Sequence, residues 1–414
     1  MDRRKIIKVA LLIVVPVLLL ILVLNGPSIV TISSEEGANI AVATSKDGTF
    51  KKIGTTKVTH LFFQKPSSIY VSAELKDRQT VASVKLARLR NKSVDLKLTN
   101  IVPVKKISDG AVVDAIFSGN KGQGIVYGQD ILVNFLTDSP NAPVNPQFVG
   151  LPYVKKIVWY DFDNFAYQTK QGMGQFIGGS DKGLGGVGSN TSGDVVIDPD
   201  SSTEQGGPLI IDISRTGNNP LVLLSSTNIF TSTNMGSRLQ AITSFDKAKS
   251  ETHVFTTADS IFRVVNPPEG SDANAKQPQT TVEEFTYAGK KTRITSLDDN
   301  SEVVNITKRG STTYILTKSN LYTINASGTQ KVDLYFGTPA DMVLYKNQVV
   351  VLANDGLWKL SDDSLSFQLL FKFTNNGVGL ISSMSMDPNN QLLFGTTPAS
   401  SDKKSNGATF VTSL

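Results

Sequence analysis

The two histidines could take part in more kinds of catalysis than the other side chains of this sequence, because the chain of 414 residues contains no cysteine. The lack of Cys excludes disulfides, thiol catalysis and thiolate zinc sites. His60 and His253 lie far apart, and a histidine zinc site usually combines two or three imidazoles or Cys partners. No Gly-x-Ser-x-Gly nucleophile elbow is present either. The sequence therefore predicts no catalytic residues, no metal site and no cofactor, with His253 a packed or edge-exposed side chain.

Two groups of carboxylates have spacings that could serve other chemistry. Asp161 and Asp163 alternate with aromatic residues, which predicts the solvent side of a strand; a paired-carboxylate glycosidase site, as in some five-bladed propellers, is the alternative. Asp198–Glu204 resembles a calcium loop, but Thr203 and Leu209 stand where such a loop needs its Gly and its final carboxylate. An acidic turn is the expected structure there.

Two further segments could bind ligands. The glycine-rich stretch 172–193 lacks the Gly-Lys-Ser/Thr of a phosphate loop and no helical pattern follows, so we expect a mobile surface loop. The densest aromatic cluster predicts packing between strands, with a stacking platform for sugars or peptides as the alternative. Its members are Trp159, Tyr160, Phe162, Phe165 and Tyr167.

The elements that must position these residues begin with an apolar N-terminal segment. Val9–Leu24 carries no charge, and the stretch 6–24 would span about 28 Å as a helix, close to the thickness of a bilayer core. No small-residue cleavage site follows Leu24, which favours an uncleaved anchor over a signal peptide. Arg3, Arg4 and Lys5 precede the span, so the N-terminus is expected in the cytoplasm and the rest outside.

Residues 28 to 98 alternate apolar and polar residues over several short stretches. The pattern predicts strands that each bury one face, as in a small β-sandwich. The predicted strands are Ser28–Ser33, Ala38–Ala43, Ile69–Leu75, Thr80–Leu86 and Val94–Leu98.

This stretch resembles the PEGA domain family. Glu35–Ala38 (EEGA) matches three of the four letters of the family's turn, and Gly54–Thr56, Leu61–Phe63 and the pair of strands in Ile69–Leu86 follow in the family's order. Glu35 replaces the family's Pro, and the later Gly-Tyr is missing. The resemblance implies an extracytoplasmic spacer or adhesive module without catalysis.

The remaining chain repeats one pattern, in which an apolar strand and a small polar turn precede Leu or Ile and an aromatic residue. Repeats of two hairpins are typical of β-propeller blades, and this region resembles β-propellers as a fold class, with about six or seven blades. A series of hairpins in another all-β fold is the alternative. The copies are Leu221–Thr231, Val254–Val264, Ile315–Ile324 and Val350–Leu360.

The repeated aromatic residue leads to a packing prediction. Phe230, Phe262, Tyr322 and Trp358 are expected on equivalent strands, each starting the return strand of a hairpin and packing between blades. The long interval between the second and third copies predicts an insertion or a degenerate unit around Pro267–Pro278.

The sequence as a whole predicts an all-β protein with three parts. These are a cytoplasmic tip with a transmembrane helix (1–26), a PEGA-like β-sandwich (27–100) and a β-propeller-like domain (101–414). We expect a single-pass cell-membrane protein, anchored in the lipid bilayer through residues 6–24, that presents the propeller to a protein or cell-wall glycan. Part of the net charge of +5 comes from the N-terminal basic cluster and the rest is thinly spread, which argues against nucleic acid. A cell-envelope hydrolase acting on glycans in a propeller funnel is the alternative function.

Overall fold

The computed structural model of the protein contains only β-strands and connecting segments in its described part, which confirms the all-β prediction. No helix in that part is long and apolar enough to cross a membrane, and the predicted anchor at residues 6–24 lies outside it. The structure describes residues 27–45, 48–62, 68–86, 90–109, 123–127, 131–135, 154–161, 164–169, 172–177, 180–184, 210–233, 235, 239–247, 250–267, 279–361, 366–372, 380–386, 391–397 and 408–413.

The chain divides into two compact units. The first comprises 1–101, 332–336 and 358–372, and the second comprises 102–331, 337–357 and 373–414. The division falls within two of the strands, β26 and β29. In chain order the strands are β1 Ser28–Ser34, β2 Asn39–Ala43, β3 Lys51–Thr55, β4 Lys57–Phe62, β5 Ser68–Leu75, β6 Arg78–Lys85, β7 Asn91–Leu96, β8 Val104–Asp109, β9 Gln123–Tyr127, β10 Ile131–Phe135, β11 Val154–Asp161, β12 Asn164–Thr169, β13 Gly172–Ile177, β14 Ser180–Leu184, β15 Asp212–Ser214, β16 Leu221–Leu224, β17 Asn228–Ser232, β18 Gln240–Ser244, β19 Thr252–Thr256, β20 Ile261–Val265, β21 Thr281–Phe285, β22 Lys291–Ser296, β23 Val303–Arg309, β24 Thr312–Thr317, β25 Asn320–Asn325, β26 Gly328–Asp333, β27 Pro339–Tyr345, β28 Gln348–Ala353, β29 Gly356–Leu360, β30 Phe367–Lys372, β31 Leu380–Met386, β32 Leu392–Thr397 and β33 Ala408–Thr412.

In the first unit, two sheets enclose one apolar core. One sheet has the order β4-β1-β7, and the other contains β30-β6-β5-β2-β3. Val30 and Ile32 project from the first sheet into the same cluster as Ile40 and Val71 of the second. Alternation along β1 leaves the intervening side chains half-buried, as expected for strands with one covered face.

The turn between β1 and β2 is tied to the turn between β3 and β4. Gly37 has φ +80, a conformation that glycine adopts without strain, and its N–H donates to the Thr56 hydroxyl over 3.0 Å. The N–H of Thr56 donates to the carbonyl of Ala38, and the carbonyl of Thr56 accepts from the N–H of Ser34. The two turn motifs that the sequence suggested are therefore in contact.

The second unit is a succession of antiparallel sheets, each formed by consecutive strands. Four sheets run β11 to β14, β15 to β18, β19 to β22 and β23 to β26 in sequential order. A fifth has the order β31-β32-β33-β8, so the first strand of this unit completes the sheet at its end. The first strands β11, β15, β19 and β23 lie side by side in that order. The arrangement is propeller-like.

The faces of these sheets pack on one another, which explains why the strand Leu221–Leu224 is apolar throughout. Leu221 and Leu223 join the cluster that contains Val158 of β11. Val222 and Leu224 point the other way and join the cluster that contains Val254 of β19. A strand buried on both faces carries no polar alternation.

The predicted packing between sheets is confirmed for Phe230, Phe262 and Tyr322, and the prediction that all four aromatic residues lie on equivalent strands is wrong. All four aromatic residues are buried; Phe230 packs between neighbouring sheets, and Phe262 and Tyr322 share one cluster formed by two sheets. Phe230, Tyr322 and Trp358 lie on third strands, but Phe262 lies on β20, the second strand of its sheet. Each sheet contains more than one hairpin, and each hairpin has a similar turn followed by a return strand. The sequence pattern therefore matched the first hairpin in one sheet and the second hairpin in others.

Two features lengthen the interval in the repeat: the register error and the predicted insertion around Pro267–Pro278, which lies between β20 and β21. Phe262 and Tyr322 belong to adjacent sheets, so no unit is missing between them. The stretch Pro267–Pro278 separates β20 from β21 within a sheet, and all but its first residue lies outside the described part.

The glycine-rich stretch 172–193 is not wholly a loop, as the sequence had suggested. Its first half forms β13 and β14 of a four-stranded sheet. Gly174 is needed there, because a Cβ at that position would overlap the ring of Tyr167 on the adjacent strand. The prediction of a loop for 185–193 falls outside the described residues.

Candidate functional site

Asp212 links the first strands of two adjacent sheets. It opens β15, and its Oδ1 accepts from the N–H of Ile213 over 2.8 Å. Its Oδ2 accepts from the N–H of Val254 on β19 over 2.7 Å. Lys156 on β11 donates to Oδ1 over 3.1 Å and to the carbonyl of Val254 over 3.3 Å. One buried carboxylate thus joins three successive first strands.

Asp341 on β27 accepts the same kinds of backbone hydrogen bond as Asp212, but its side-chain partner is Asn305 instead of a lysine. Its Oδ1 accepts from the N–H of Met342 over 2.7 Å, and its Oδ2 accepts from the N–H of Met384 on β31 over 2.9 Å. Asn305 on β23 donates from Nδ2 to Asp341 over 2.7 Å and to the carbonyl of Met342 over 2.8 Å. Like Lys156 and Asp212, these side chains bond one first strand to the next.

The two aspartates differ in ionisation because only one has a lysine. Burial alone opposes ionisation of Asp212, but Lys156, His253 and the Val254 N–H outweigh it and hold the pKa of Asp212 below its ordinary value. Burial raises the pKa of Asp341 to about 6 against the opposing bonds from Asn305 and the backbone. Asp212 is therefore firmly ionised at neutral pH.

An open cleft of about 600 Å³ lies over the first of these two aspartates. The first strands of four consecutive sheets contribute to its wall, together with the segments that precede them. A cleft of this volume is in the range of sites for small organic ligands. The side chains that matter for its chemistry are Lys156, Asp212, Glu251, His253, Phe255 and Glu302.

His253 lies in this cleft between two carboxylates. Its side chain is 31% exposed; Nδ1 is 3.8 Å from Asp212 Oδ2 and Nε2 is 3.5 Å from Glu251 Oε1. The sequence predicted an edge-exposed or packed histidine, and the half-exposed ring on β19 agrees. His60 lies in the first unit, where its ring packs edge-on against Phe62 with centroids 4.7 Å apart.

The geometry supports binding better than acid–base catalysis. Asp212 is a poor general acid, because its pKa is lowered and both of its oxygens bond to the backbone. Among the described residues, no three His, Asp or Glu side chains are grouped so as to hold a metal ion.

The other residues singled out from the sequence are placed as follows. Trp159, Phe165 and Tyr167 are buried, and the rings of Trp159 and Phe165 are 4.7 Å apart, so they pack within the sheet instead of forming a stacking platform. The side chains of Asp161 and Asp163 and the acidic turn Asp198–Glu204 lie outside the described residues.

A sequence signal for these polar residues on the first strands did exist. In several first strands a polar residue directly precedes a buried apolar one: Asp212-Ile213, His253-Val254, Asn305-Ile306 and Asp341-Met342. Sequence reasoning followed the aromatic residues on the outer strands and missed it. The pairing of Lys156 with Asp212 has no local signal, because the two residues are on different sheets.

No family model matches the sequence, and no curated protein matches it. Among solved structures, similar chains include two extracellular domains described as parts of sensor systems from B. thetaiotaomicron. One is from a one-component system, with 14% identity, 75% of this chain and 40% of that chain covered, and a TM-score of 0.47. The other is from a hybrid two-component system, with 12% identity, 89% and 53% covered, and a TM-score of 0.49. This chain thus spans about half of those domains or less.

A third similar structure is YCF48 bound to a D1 peptide. It shares 10% identity with this chain, covers 76% of this chain and 98% of its own, and has a TM-score of 0.48. Because these TM-scores are all below 0.5, the description of the fold rests on the strand pairing observed within this chain.

Proposed function

We propose that the protein is a membrane-anchored, extracytoplasmic binding module whose propeller-like unit takes a protein or glycan ligand in the cleft at Asp212. The observation that carries this function is the cleft of about 600 Å³, formed by first strands from four consecutive sheets. Ligand sites form where rigid elements converge. The ion pair between the half-buried Lys156 and the buried Asp212 stiffens the floor of the cleft.

The proposal also covers the anchor, the spacer and the propeller, in the order in which they follow along the chain. The stretch 6–24 anchors the chain, with the N-terminus in the cytoplasm. The sandwich of residues 27–100 is a PEGA-like spacer, supported by the bonded turns at Gly37 and Thr56. The second unit is a propeller of seven blades, supported by five four-stranded sheets and the pairs β9–β10 and β27–β28 among the described strands.

A glycan hydrolase remains the second candidate, because Asp212 and Glu251 flank His253 in the cleft. Carboxylate pairs carry out glycoside hydrolysis, with the acid held protonated by a raised pKa. The lowered pKa of Asp212 places it outside that role. If Glu251→Gln abolished hydrolysis of a cell-wall glycan by the full-length protein, the protein would be an enzyme.

Filling the cleft tests the binding function. The full-length protein in detergent would be screened against peptide and glycan arrays alongside Ser250→Trp, which places an indole at the cleft wall. The matched control is Ser327→Trp, in an exposed turn after β25. We expect a ligand that binds the wild type and the control but loses at least about tenfold in affinity with Ser250→Trp. A ligand that binds all three equally would place binding elsewhere.

The topology needs its own experiment. Alkaline extraction of membranes should leave the protein in the bilayer, and protease added outside intact cells should digest the region after residue 27. Deletion of residues 6–24 should release the protein from the membrane fraction. Complete protection of the C-terminal region from external protease would overturn the proposed orientation.

A further inference from the structure

We infer that the cleft at Asp212 recognises an organic cation, an ammonium or guanidinium group; this inference rests on the binding function proposed above. The ionisable side chains of its wall include one lysine, three carboxylates and His253. The one lysine and three carboxylates sum to −2, and Lys318, which lies outside the wall but pairs with Glu302, reduces that sum to −1. A recess with one sign of charge concentrates ligands of the opposite sign.

The single lysine does not oppose such a ligand. Lys156 Nζ lies 3.1 Å from Asp212 and 3.3 Å from the carbonyl of Val254, so its charge is matched at short range. Asp212 in turn is only 6% exposed and uses its oxygens inside the fold. The charge that an incoming ligand meets is therefore that of Glu251 and Glu302.

Both of these carboxylates face solvent. The side chain of Glu251 is 73% exposed and that of Glu302 is 54% exposed. Glu302 forms an ion pair with Lys318, whose side chain is 50% exposed, and exposed pairs of this kind contribute little to stability. A ligand cation can therefore replace the lysine at low cost, and the second carboxylate, Glu251, lies 3.5 Å from His253 on the same wall.

Phe255 adds an aromatic surface to the same wall. The ring is half-buried, and Lys156 Nζ already lies 5.4 Å from its centroid, within the distance at which a ring attracts a cation. The volume of about 600 Å³ exceeds what one ammonium group fills. The ligand is therefore larger than its cationic group, either a free polyamine or a peptide side chain with its neighbours.

Calorimetric titration of the full-length protein in detergent tests the inference. The probes are an acetylated tetralysine amide, diaminopentane and an uncharged acetylated tetraglycine amide. The variant is Glu251→Gln/Glu302→Gln, and the matched control is Glu74→Gln/Asp77→Asn, which removes the same charge from exposed positions of the first unit.

We expect the cationic probe to bind the wild type and the control, and to bind the cleft variant about tenfold more weakly. Raising the salt from about 0.05 M to about 0.5 M should weaken wild-type binding, because screening shortens the range of the attraction. If diaminopentane binds, the natural ligand is a free amine. If only tetralysine binds, the natural ligand is a peptide. Tetraglycine should not bind.

Failure of both cationic probes, or equal binding by the cleft variant and the control, would overturn the inference. The binding function itself would survive if Ser250→Trp still abolished binding of a neutral or anionic ligand from the arrays. If no ligand depended on Ser250, the proposed function would fail as well.

Discussion

Replacing Lys156 by Met should destabilise the second unit at neutral pH, by an amount that shrinks as the pH falls. The change keeps the length of the side chain and removes the only lysine at Asp212, whose carboxylate is 6% exposed. The N–H groups of Ile213 and Val254 remain as donors. Removal of the lysine leaves the buried Asp212 carboxylate without its cation, and an uncompensated buried charge is strongly destabilising.

The size of this destabilisation can be taken from Asp341, which also accepts from two backbone N–H groups but has Asn305 in place of a lysine. Its pKa is about 6, about two above an ordinary carboxyl, and each pKa unit corresponds to about 1.36 kcal/mol. If Asp212 takes a similar pKa in the variant, Lys156→Met costs about 3 kcal/mol at neutral pH.

The sign of the pH dependence follows from proton linkage. In the wild type the pKa of Asp212 is lowered, so its contribution to stability is present above the unfolded value and is lost only as the pH falls through the folded one. In the variant the folded pKa lies above the unfolded value, so protonation favours the folded state. The deficit should shrink by about 1 kcal/mol between about pH 7.5 and pH 5.

Urea denaturation of both proteins at the two pH values measures this change, and Asp341 cancels in the difference. Lys331→Met is the matched control, because Lys331 lies 3.1 Å from Asp298, whose side chain is 62% exposed. That exposed pair should contribute less than about 1 kcal/mol. A Lys156→Met deficit no larger than that of the control, or one independent of pH, would refute the reasoning.

Three further substitutions test the packing. Phe262→Ala should lower the free energy of unfolding by about 3–5 kcal/mol by leaving a cavity between two sheets, whereas Ile294→Ala, at a side chain 59% exposed, should change it by less than about 0.5 kcal/mol in the same denaturation assay. Gly174→Ala should cost about 1–3 kcal/mol, because the new methyl group meets the ring of Tyr167; equal stability would show that this ring can move. Tyr322→Phe should cost about 1–3 kcal/mol by leaving two aspartates without its hydroxyl, and no loss in thermal denaturation would mean that water replaces that bond.

The strands of the first unit could be predicted because period-2 alternation encodes them locally. Ser28–Ser33 was predicted and Ser28–Ser34 is observed; Ile69–Leu75 was predicted and Ser68–Leu75 is observed. The strand Lys57–Phe62 was not predicted, because half of its residues are exposed and the polar His60 lies on its covered face while the apolar Leu61 lies on its exposed face. Burial was likewise predictable for the repeated aromatic residues, which are large and apolar.

The register of the repeat was decided only by the fold. The same turn and aromatic residue occur in the first hairpin at Phe262 and in the second hairpin at Phe230 and Tyr322, and no local property distinguishes the two hairpins. The position of a strand within its sheet depends on which strands it pairs with. Those pairings join residues far apart in the chain, so no single segment contains them.

The candidate site shows the same division between sequence and tertiary structure. The sequence by itself determined the all-β class, the buried aromatic residues and the presence of only two histidines. Only the tertiary structure placed Lys156, Asp212 and His253 in one cleft, because they are carried by first strands of three different sheets. The ionisation of Asp212 was decided there too, since a carboxyl takes its pKa from its burial and its charged neighbours and not from its position in the chain.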